Sequence, residues 1–485
     1  MNSSIFHFLI LLLFAFSCDR VQSHEEGHIT AEISNKGLDF LKDLLIEKAE
    51  SSLVPLELPK TEKSVKIPVV GRVQMVLSNI VIERIHVTSS TVKIGDSGIV
   101  IDVSGATANL TMNWKYSYST WLIPIAVSDK GNATVQVEGL EVGLSLSLKM
   151  LNGSLKLSLL ECGCNVNDIS IKLDGGASWL YQGLIDAFEG KIGSAVENAV
   201  SKKIKDAIIK LDSVLHSLPK EVPVTNIAEL NVTFVDDPEL SESSVDLEVD
   251  GLFSAKHEAA LSSHYHRLLQ ASFSCKEADK MVKISLQENV IKSASSVYFE
   301  ANKMHWIVDK VPDQSLLNTA GWRFIIPQLY KMYPNHDMSL NLSVSSAPIL
   351  NVEKQQIKAK VPLDVVIDVL DVEEVIPVVC ISTVITASVS PGISGNALTG
   401  YVKLNDISMS LKWSKIGDLH MNLVQMLMST TLRTVVLPYV NLKLSKGFQI
   451  PVFHGSGLQD AHILCTDSWI VICSDVAPVK QFNLI

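Results

Sequence analysis

Between Val135 and Leu218 the chain switches its hydrophobic period, and that switch limits the folds open to it more than any other feature. From Gly143 to Leu148, and again from Leu155 to Leu159, leucine alternates strictly with small or polar residues, so one face of each extended segment is apolar. Asn152-Gly153 between them predicts a hairpin turn. After a further strand, Val166 to Leu173, and a Gly175-Gly176 break, the period lengthens. Leu180, Leu184, Phe188, Ile192, Val196, Val200, Ile204, Ile208, Leu211 and Leu215 then recur every three or four residues until Pro219. This predicts one amphipathic helix from Ser178 to Leu218, roughly 60 Å long at about 1.5 Å per residue. A stripe of that length needs an equally long apolar trough, which a strongly curved antiparallel sheet provides. The expected class is α+β.

The first 23 residues read as a signal peptide, with an apolar core from Ile5 to Phe16 that is too short to span a bilayer and Ser23 before His24-Glu25-Glu26. No later run reaches the length of a membrane span without a charge or proline; Val375 to Ala387, interrupted by Pro377, reads as a buried strand. A soluble protein of the secretory route is expected, extracellular or vacuolar. Acceptor sites for N-glycosylation at Asn109, Asn132, Asn152, Asn231 and Asn341 agree with that route.

The mature chain is long enough for two domains, each with its own core. They are expected over residues 24–220 and 261–485, with a linker and sheet strands over 221–260. The net charge of −11 is unevenly shared. Residues 24–220 hold 20 basic against 23 acidic side chains, and residues 221–485 hold 20 against 28. Nucleic acid is therefore a poor partner, and any anionic lipid must meet a local patch. With Cys18 in the signal peptide, the cysteines left are Cys162, Cys164, Cys275, Cys380, Cys465 and Cys473. Their pairing is open, although a bridge between Cys162 and Cys164 on one strand would be strained.

An amphipathic helix is expected from Ile29 to Leu53, ended by Pro55 and Pro59. Strands follow at Val65–Val70, Val73–Ile80, Val81–Thr88, Thr91–Ile94, Ile99–Val103, Ala106–Trp114 and Leu122–Val127, with glycines between them. The second half repeats this plan. Short helices are expected at Ser285–Asn302 and Leu316–Tyr333, and strands at Met338–Val344, Ile357–Val369, Val375–Val389 and Leu398–Leu411. A long helix from Leu419 to Leu444, interrupted at Pro438, completes the repeat.

Several segments resemble the bactericidal/permeability-increasing and lipopolysaccharide-binding protein family. They are Ile33 to Phe40, the Cys162 to Leu173 strand with Trp179-Leu180, Tyr333-Pro334-Asn335 with Leu340 to Ser345, and Leu437 to Phe448. The likeness covers nearly the whole mature chain in order and, in its acidity and sparse cysteines, is similar to the plant branch. It implies a boomerang of two tandem tubular lipid-binding domains, each a curved sheet around a long helix, joined by a central sheet. It also implies phospholipid in apolar tunnels, lipopolysaccharide as a ligand, and a part in innate immune recognition of bacteria. Transient contact with bacterial or host membranes follows. No cofactor is implied beyond the bound lipid. Leu180, Leu184, Phe188, Ile192 and Val196 are the tunnel candidates. Burial contributes about 0.8 kcal/mol per methylene, so a 16-carbon chain gains roughly 12 kcal/mol before binding costs. The family's disulfide from the Cys162 or Cys164 position to the long helix has no partner here, because residues 201–209 hold no cysteine.

Lys60, Lys63, Lys66, Arg72 and Lys115 are candidates for lipid A phosphates, weighed against an ordinary solvated loop. Trp114, Tyr116, Tyr118 and Trp121 read either as anchors at a lipid surface or as a cross-strand aromatic cluster. Lys202, Lys203, Lys205 and Lys210 read as the wet face of the long helix. His24-Glu25-Glu26-Gly27-His28 matches the H-E-x-x-H zinc pattern, but a glycine and a terminal position deny it the rigid helix that chemistry needs. His264 and His266 read as surface or satisfied core residues. With no nucleophile elbow, P-loop or dinucleotide fingerprint, and no metal site, the chain is not expected to be an enzyme. A carrier of phospholipid without a bacterial ligand is the alternative reading, and a lipid hydrolase the remote one.

Overall fold

The structure, a computed structural model, describes residues 27–67, 71–95, 98–119, 127–174, 178–256, 275, 280–311, 314–371, 374–449 and 456–478. The signal-peptide segment, Trp121, His264 and His266 lie outside these residues. The chain divides into two compact units. Ile33–Leu218 with Asp237–Asp246 form the first. Pro219–Asp236 and Leu247 onward, with the segment ending at Glu32, form the second.

Strand β1 (Ile29–Ser34) occupies the start of the expected first helix, and α1 runs from Asn35 to Ser52. The switch falls at Ser34, whose backbone is extended and whose Oγ accepts the Gly37 N–H at 3.3 Å, an N-cap that the apolar spacing alone does not reveal. In the first unit an antiparallel sheet is built from β2 (Leu56–Leu58), β3 (Thr61–Ile67), β4 (Gly71–His86), β5 (Ser89–Gly95), β6 (Gly98–Tyr118), β7 (Val127–Leu151) and β8 (Ser154–Leu173). The order is β2-β4-β6-β7-β8, with β3 on β4 and β5 on β6. Segments expected as separate strands are continuous. Register shifts at Ser78/Val81 and Val103/Ala106, where Asn79 and Gly105 take φ of 50° and 68°, bend β4 and β6 instead of ending them. The Asn152-Gly153 turn is present, both residues having positive φ.

Helix α2 (Ser178–Ser217) fills the concave side of this sheet. Phe188, Ile192, Val196 and Val200, each 2% exposed or less, pack against Val73, Leu77, Leu110, Val135 and Val137. The last strand, β8, would leave a free edge of N–H groups, and α2 supplies the acceptors. Val166 N–H donates to Glu197 Oε1 at 2.9 Å and Leu157 N–H to Asp212 Oδ1 at 2.8 Å. On its other side Lys191 Nζ donates to the Glu62 carbonyl of β3 at 3.1 Å. The helix thus bridges the opening of the curved sheet and closes it into a tube.

In the second unit, β9 (Val282–Gln287) leads into α3 (Glu288–Glu300). The main sheet then comprises β10 (His305–Val308), β11 (Asp337–Val344), β12 (Ile349–Glu353), β13 (Gln356–Leu370), β14 (Val375–Ser394) and β15 (Ala397–Ser414). Helix α4 (Met421–Thr431) continues through a π turn (Leu432–Val436) into α5 (Leu437–Ser445), so Pro438 widens the helix and does not interrupt it. Strand β16 (Phe448–Gln449) and the hairpin β17 (Ser456–Thr466) and β18 (Trp469–Pro478) follow. The main sheet has the order β10-β11-β13-β14-β15-β16, with β12 on β13. Because β16 pairs only with Ala397 and Leu398, the rest of the β15 edge is open. Here too the long helix covers it. Asn441 accepts from Val402 N–H at 2.7 Å and donates to the Val402 carbonyl at 2.9 Å, and Gln425 Nε2 donates to the Ile407 carbonyl at 3.0 Å. Cys275 and Cys473 form a disulfide, and Cys162, Cys164, Cys380 and Cys465 are free thiols.

Candidate functional site

The alternating side chains of β11 and β13 that face inward in the second unit leave a pocket of about 360 Å³. Tyr298, Met304, Trp306, Leu342, Val344, Val361 and Leu363 line it with Pro348 and Ser343, and Lys303 is the one charged residue. Trp306 and Lys303 are exposed at this pocket, while Val344 is buried. A second gap, too narrow to admit a water molecule, is lined by Trp322, Leu340, Val365, Ile367, Ile381, Thr383, Met409 and Met428. On β13 the linings follow one another as Val361, Leu363, then Val365, Ile367, and on β11 as Leu342, then Leu340. These are alternate residues on one sheet face, so an apolar strip of roughly 20 Å at about 3.3 Å per residue runs along it, open at the pocket and packed at its inner end. The pocket can bury hydrocarbon and set the Lys303 ammonium beside an anionic head group. Thr383 Oγ1 is buried at the inner space, 1% exposed, without a hydrogen-bond partner.

None of these lining residues came from sequence reasoning, which took its tunnel candidates from the first unit. There Phe188, Ile192 and Val196 are buried in a packed core; the side chains of Leu180 and Leu184 lie outside the described residues. A tunnel along α2 is therefore not what these three residues form: they are the wall of a filled interior. The signal for the pocket was the alternation of β11 and β13, which marks an apolar face but not whether that face is filled.

The basic candidates divide by strand parity. Val73, Met75 and Leu77 point into the core, so Arg72 points outward, and Lys66 lies directly across from it. Lys115, opposite Val76, shares this outer face and lies across from Lys130 on β7. Lys130 was missed, since only the β6–β7 register brings it there. Lys63 lies opposite Met75 on the inward face, and Lys60 is paired with Glu62 at 2.6 Å. The outer patch is thus Lys66, Arg72, Lys115 and Lys130, all exposed.

Trp114 and Tyr116 are 1% and 6% exposed, inside the tube, and do not stand at a surface. Trp114 Nε1–H donates to the Asn132 carbonyl at 2.9 Å, and the rings of Trp114, Tyr116 and the half-buried Tyr118 stack in series at 5.8 and 6.3 Å. Their spacing of two residues put them on one face; that face is the core. Lys202, Lys203, Lys205 and Lys210 are exposed along α2. Of the sequon asparagines, Asn109, Asn132 and Asn152 are exposed, whereas Asn231 Oδ1 accepts from Thr233 and Asn341 Oδ1 lies 2.7 Å from His305 Nε2.

His28 is buried, its Nδ1–H donating to the Asp250 carbonyl at 3.1 Å, and His24, Glu25 and Glu26 of its motif lie outside the described residues. No group of three or more His, Cys, Asp or Glu among the described residues could hold a metal. Burial, then the nearby Glu197 and Cys162, pushes the Cys164 thiol up to about 11 against the lowering effect of its hydrogen bond to Ser201. Burial alone pushes Cys465 up to about 11.

An antiparallel sheet closed by one long edge-covering helix, built twice in one chain and holding an apolar strip in its second copy, defines a class of tandem tubular proteins. The family model for the LBP / BPI / CETP N-terminal domain matches residues 37–218, and that for the C-terminal domain matches residues 223–477. A putative BPI/LBP family protein of Arabidopsis thaliana is 51% identical over 472 residues, covering 97% of this chain and 96% of its own length. Human lipopolysaccharide-binding protein is 24% identical over 89% of this chain and 90% of its own. A crystal structure of lipopolysaccharide-binding protein shares the fold with a TM-score of 0.64 at 22% identity, covering 94% of this chain and 100% of that one. The chain belongs to the LBP / BPI / CETP family.

Proposed function

We propose that this protein is a secreted lipid binder that takes the acyl chains of lipopolysaccharide and phospholipid into an apolar site and acts in innate recognition of bacteria, from the apoplast or vacuole. The observation that carries the reading is the apolar pocket on β11 and β13. Its aliphatic and aromatic walls hold hydrocarbon by burial, so no catalytic group is needed. The family relationship supports lipid as the ligand class. The outer patch of Lys66, Arg72, Lys115 and Lys130 is the proposed contact for lipid A phosphates.

Solvent extraction of the purified protein and mass spectrometry of the extract test the reading: acyl lipid is expected from the natural sequence and its loss from Leu342→Trp/Leu363→Trp, which fills the pocket. An extract free of lipid, or one unchanged in that variant, rejects the site. The neutralisation of Lys60 by Glu62 and the inward place of Lys63 favour a second reading, a phospholipid carrier without a bacterial ligand. Competition between lipopolysaccharide and phosphatidylcholine vesicles for one labelled lipid separates the two.

A further inference from the structure

The helix covering the β15 edge shows solvent a face unlike that of α2. Along the exposed side of α2, Lys202, Lys203, Lys205 and Lys210 mix with Asp206, the usual wet face of a soluble helix. From Met421 to Ser445 the exposed side chains include Leu423, Met426, Val436, Tyr439 and Leu442, at 40–65% exposure, and the only charges are Arg433 and Lys443. Asn441 fixes the orientation, because its two hydrogen bonds to Val402 turn it toward β15. At about 100° per residue, Val436, Tyr439, Lys443 and Lys446 then fall within about 40° of the opposite direction. Lys443 Nζ sits 5.5 Å from the Tyr439 ring centre. Residues 420–459 contain no Asp or Glu, although the chain as a whole has 52 in 485, and among the described residues Arg433, Lys443 and Lys446 form no ion pair.

We infer that this face is a docking surface for an anionic lipid bilayer, with Met426, Val436, Tyr439 and Leu442 entering the head-group boundary and Arg433, Lys443 and Lys446 meeting lipid phosphates. An exposed apolar helix face that carries cations and no acid suits a helix lying in that boundary, and the absence of acid in so acidic a chain matches a negative surface. The covering bonds from Gln425 and Asn441 hold the helix against the sheet, so it lies on a membrane and does not cross one. None of these docking side chains lines the pocket, and the inference does not rest on what the pocket holds.

Flotation of the full chain with phosphatidylcholine vesicles, with and without phosphatidylglycerol, tests it. Binding is expected only with the anionic lipid. Arg433→Gln/Lys443→Gln/Lys446→Gln is expected to weaken it by about tenfold or more, each cation near such a surface accounting for about fivefold. Lys202→Gln/Lys203→Gln/Lys205→Gln, on the exposed side of α2, is expected to retain this binding. An unchanged helix variant, or equal binding to neutral vesicles, overturns the inference. Tyr439→Trp provides a check that does not weaken the surface: its added emission is expected to be quenched by brominated phosphatidylglycerol vesicles, and no quenching beyond that of the unsubstituted protein overturns the inference as well. Lipid recovered from the pocket is expected to be the same in all these variants.

Discussion

Gly131 stands where no larger residue fits, since a Cβ there would lie 2.6 Å from Trp114 Cζ2 and 2.8 Å from the Asp174 carbonyl. The indole of Trp114 lies over its cross-strand partner and covers the bare backbone. Gly131→Ala is expected to destabilise the first unit by about 1–3 kcal/mol and to shift the tryptophan emission; an unchanged urea midpoint would show that the ring has room to move. Thr383 predicts the opposite sign. Its hydroxyl has no partner, so Thr383→Val keeps the shape, removes a desolvated polar group and should raise stability by about 1 kcal/mol, read as a higher thermal midpoint. Cys164 adds a pH dependence. Its thiol titrates near an ordinary 9.0 when unfolded and at about 11 when folded, so between those values the unfolded chain holds fewer protons. The contribution is therefore complete below pH 9 and falls as pH rises toward 11. Compared with Cys164→Ala, the unsubstituted protein should lose stability more steeply across that window; parallel pH profiles would remove the claim. None of these three effects is legible in the sequence, because each depends on which atom a residue meets across a strand or a tube.

At the level of elements, the period change at residue 178 foretold the sheet and the long helix, since both follow from apolar spacing along the chain. It did not foretell how the sheet ends are sealed. Glu197 and Asp212 look like ordinary wet-face acids until β8 is placed beside them, and Asn441 looks like a helix polar residue until it meets Val402. Bulges were hidden for the same reason: strands are expected to break after Ile80 and at Gly105, whereas pairing with neighbours carries β4 and β6 through Asn79 and Gly105. The N-cap at Ser34 and the β17–β18 hairpin also escaped the apolar pattern. Edge sealing is open to test. Glu197→Ala or Asp212→Ala strips an acceptor from an N–H of the β8 edge and should cost about 1–2 kcal/mol. The Cys164–Ser201 hydrogen bond marks the place where strand and helix approach most usefully. Ser201→Cys is expected to form a disulfide with Cys164 under oxidising conditions and to stabilise the first unit by about 2–4 kcal/mol. Mass spectrometry of the nonreduced protein reads the bridge directly, and two free thiols after oxidation would show that the side chains point past each other.

At the scale of the whole molecule, charge sets two effects against each other. The net −11 repels an anionic membrane at long range, while the patches at Lys66, Arg72, Lys115 and Lys130, and at Arg433, Lys443 and Lys446, attract it at contact. The two effects differ in reach, so salt separates them. At about 0.01 M salt the screening length of roughly 30 Å lets the whole charge act, and at about 0.1 M it falls to roughly 10 Å, which mutes the distant acids more than cations touching lipid phosphates. Association with phosphatidylglycerol vesicles should therefore quicken between these salt concentrations and slow again toward 1 M, where the screening length of about 3 Å weakens the contacts themselves. A uniformly basic protein shows only the decline. Stopped-flow measurement of vesicle association across this range distinguishes the two cases, and a rate that falls steadily from the lowest salt would mean that the local cations dominate at every distance.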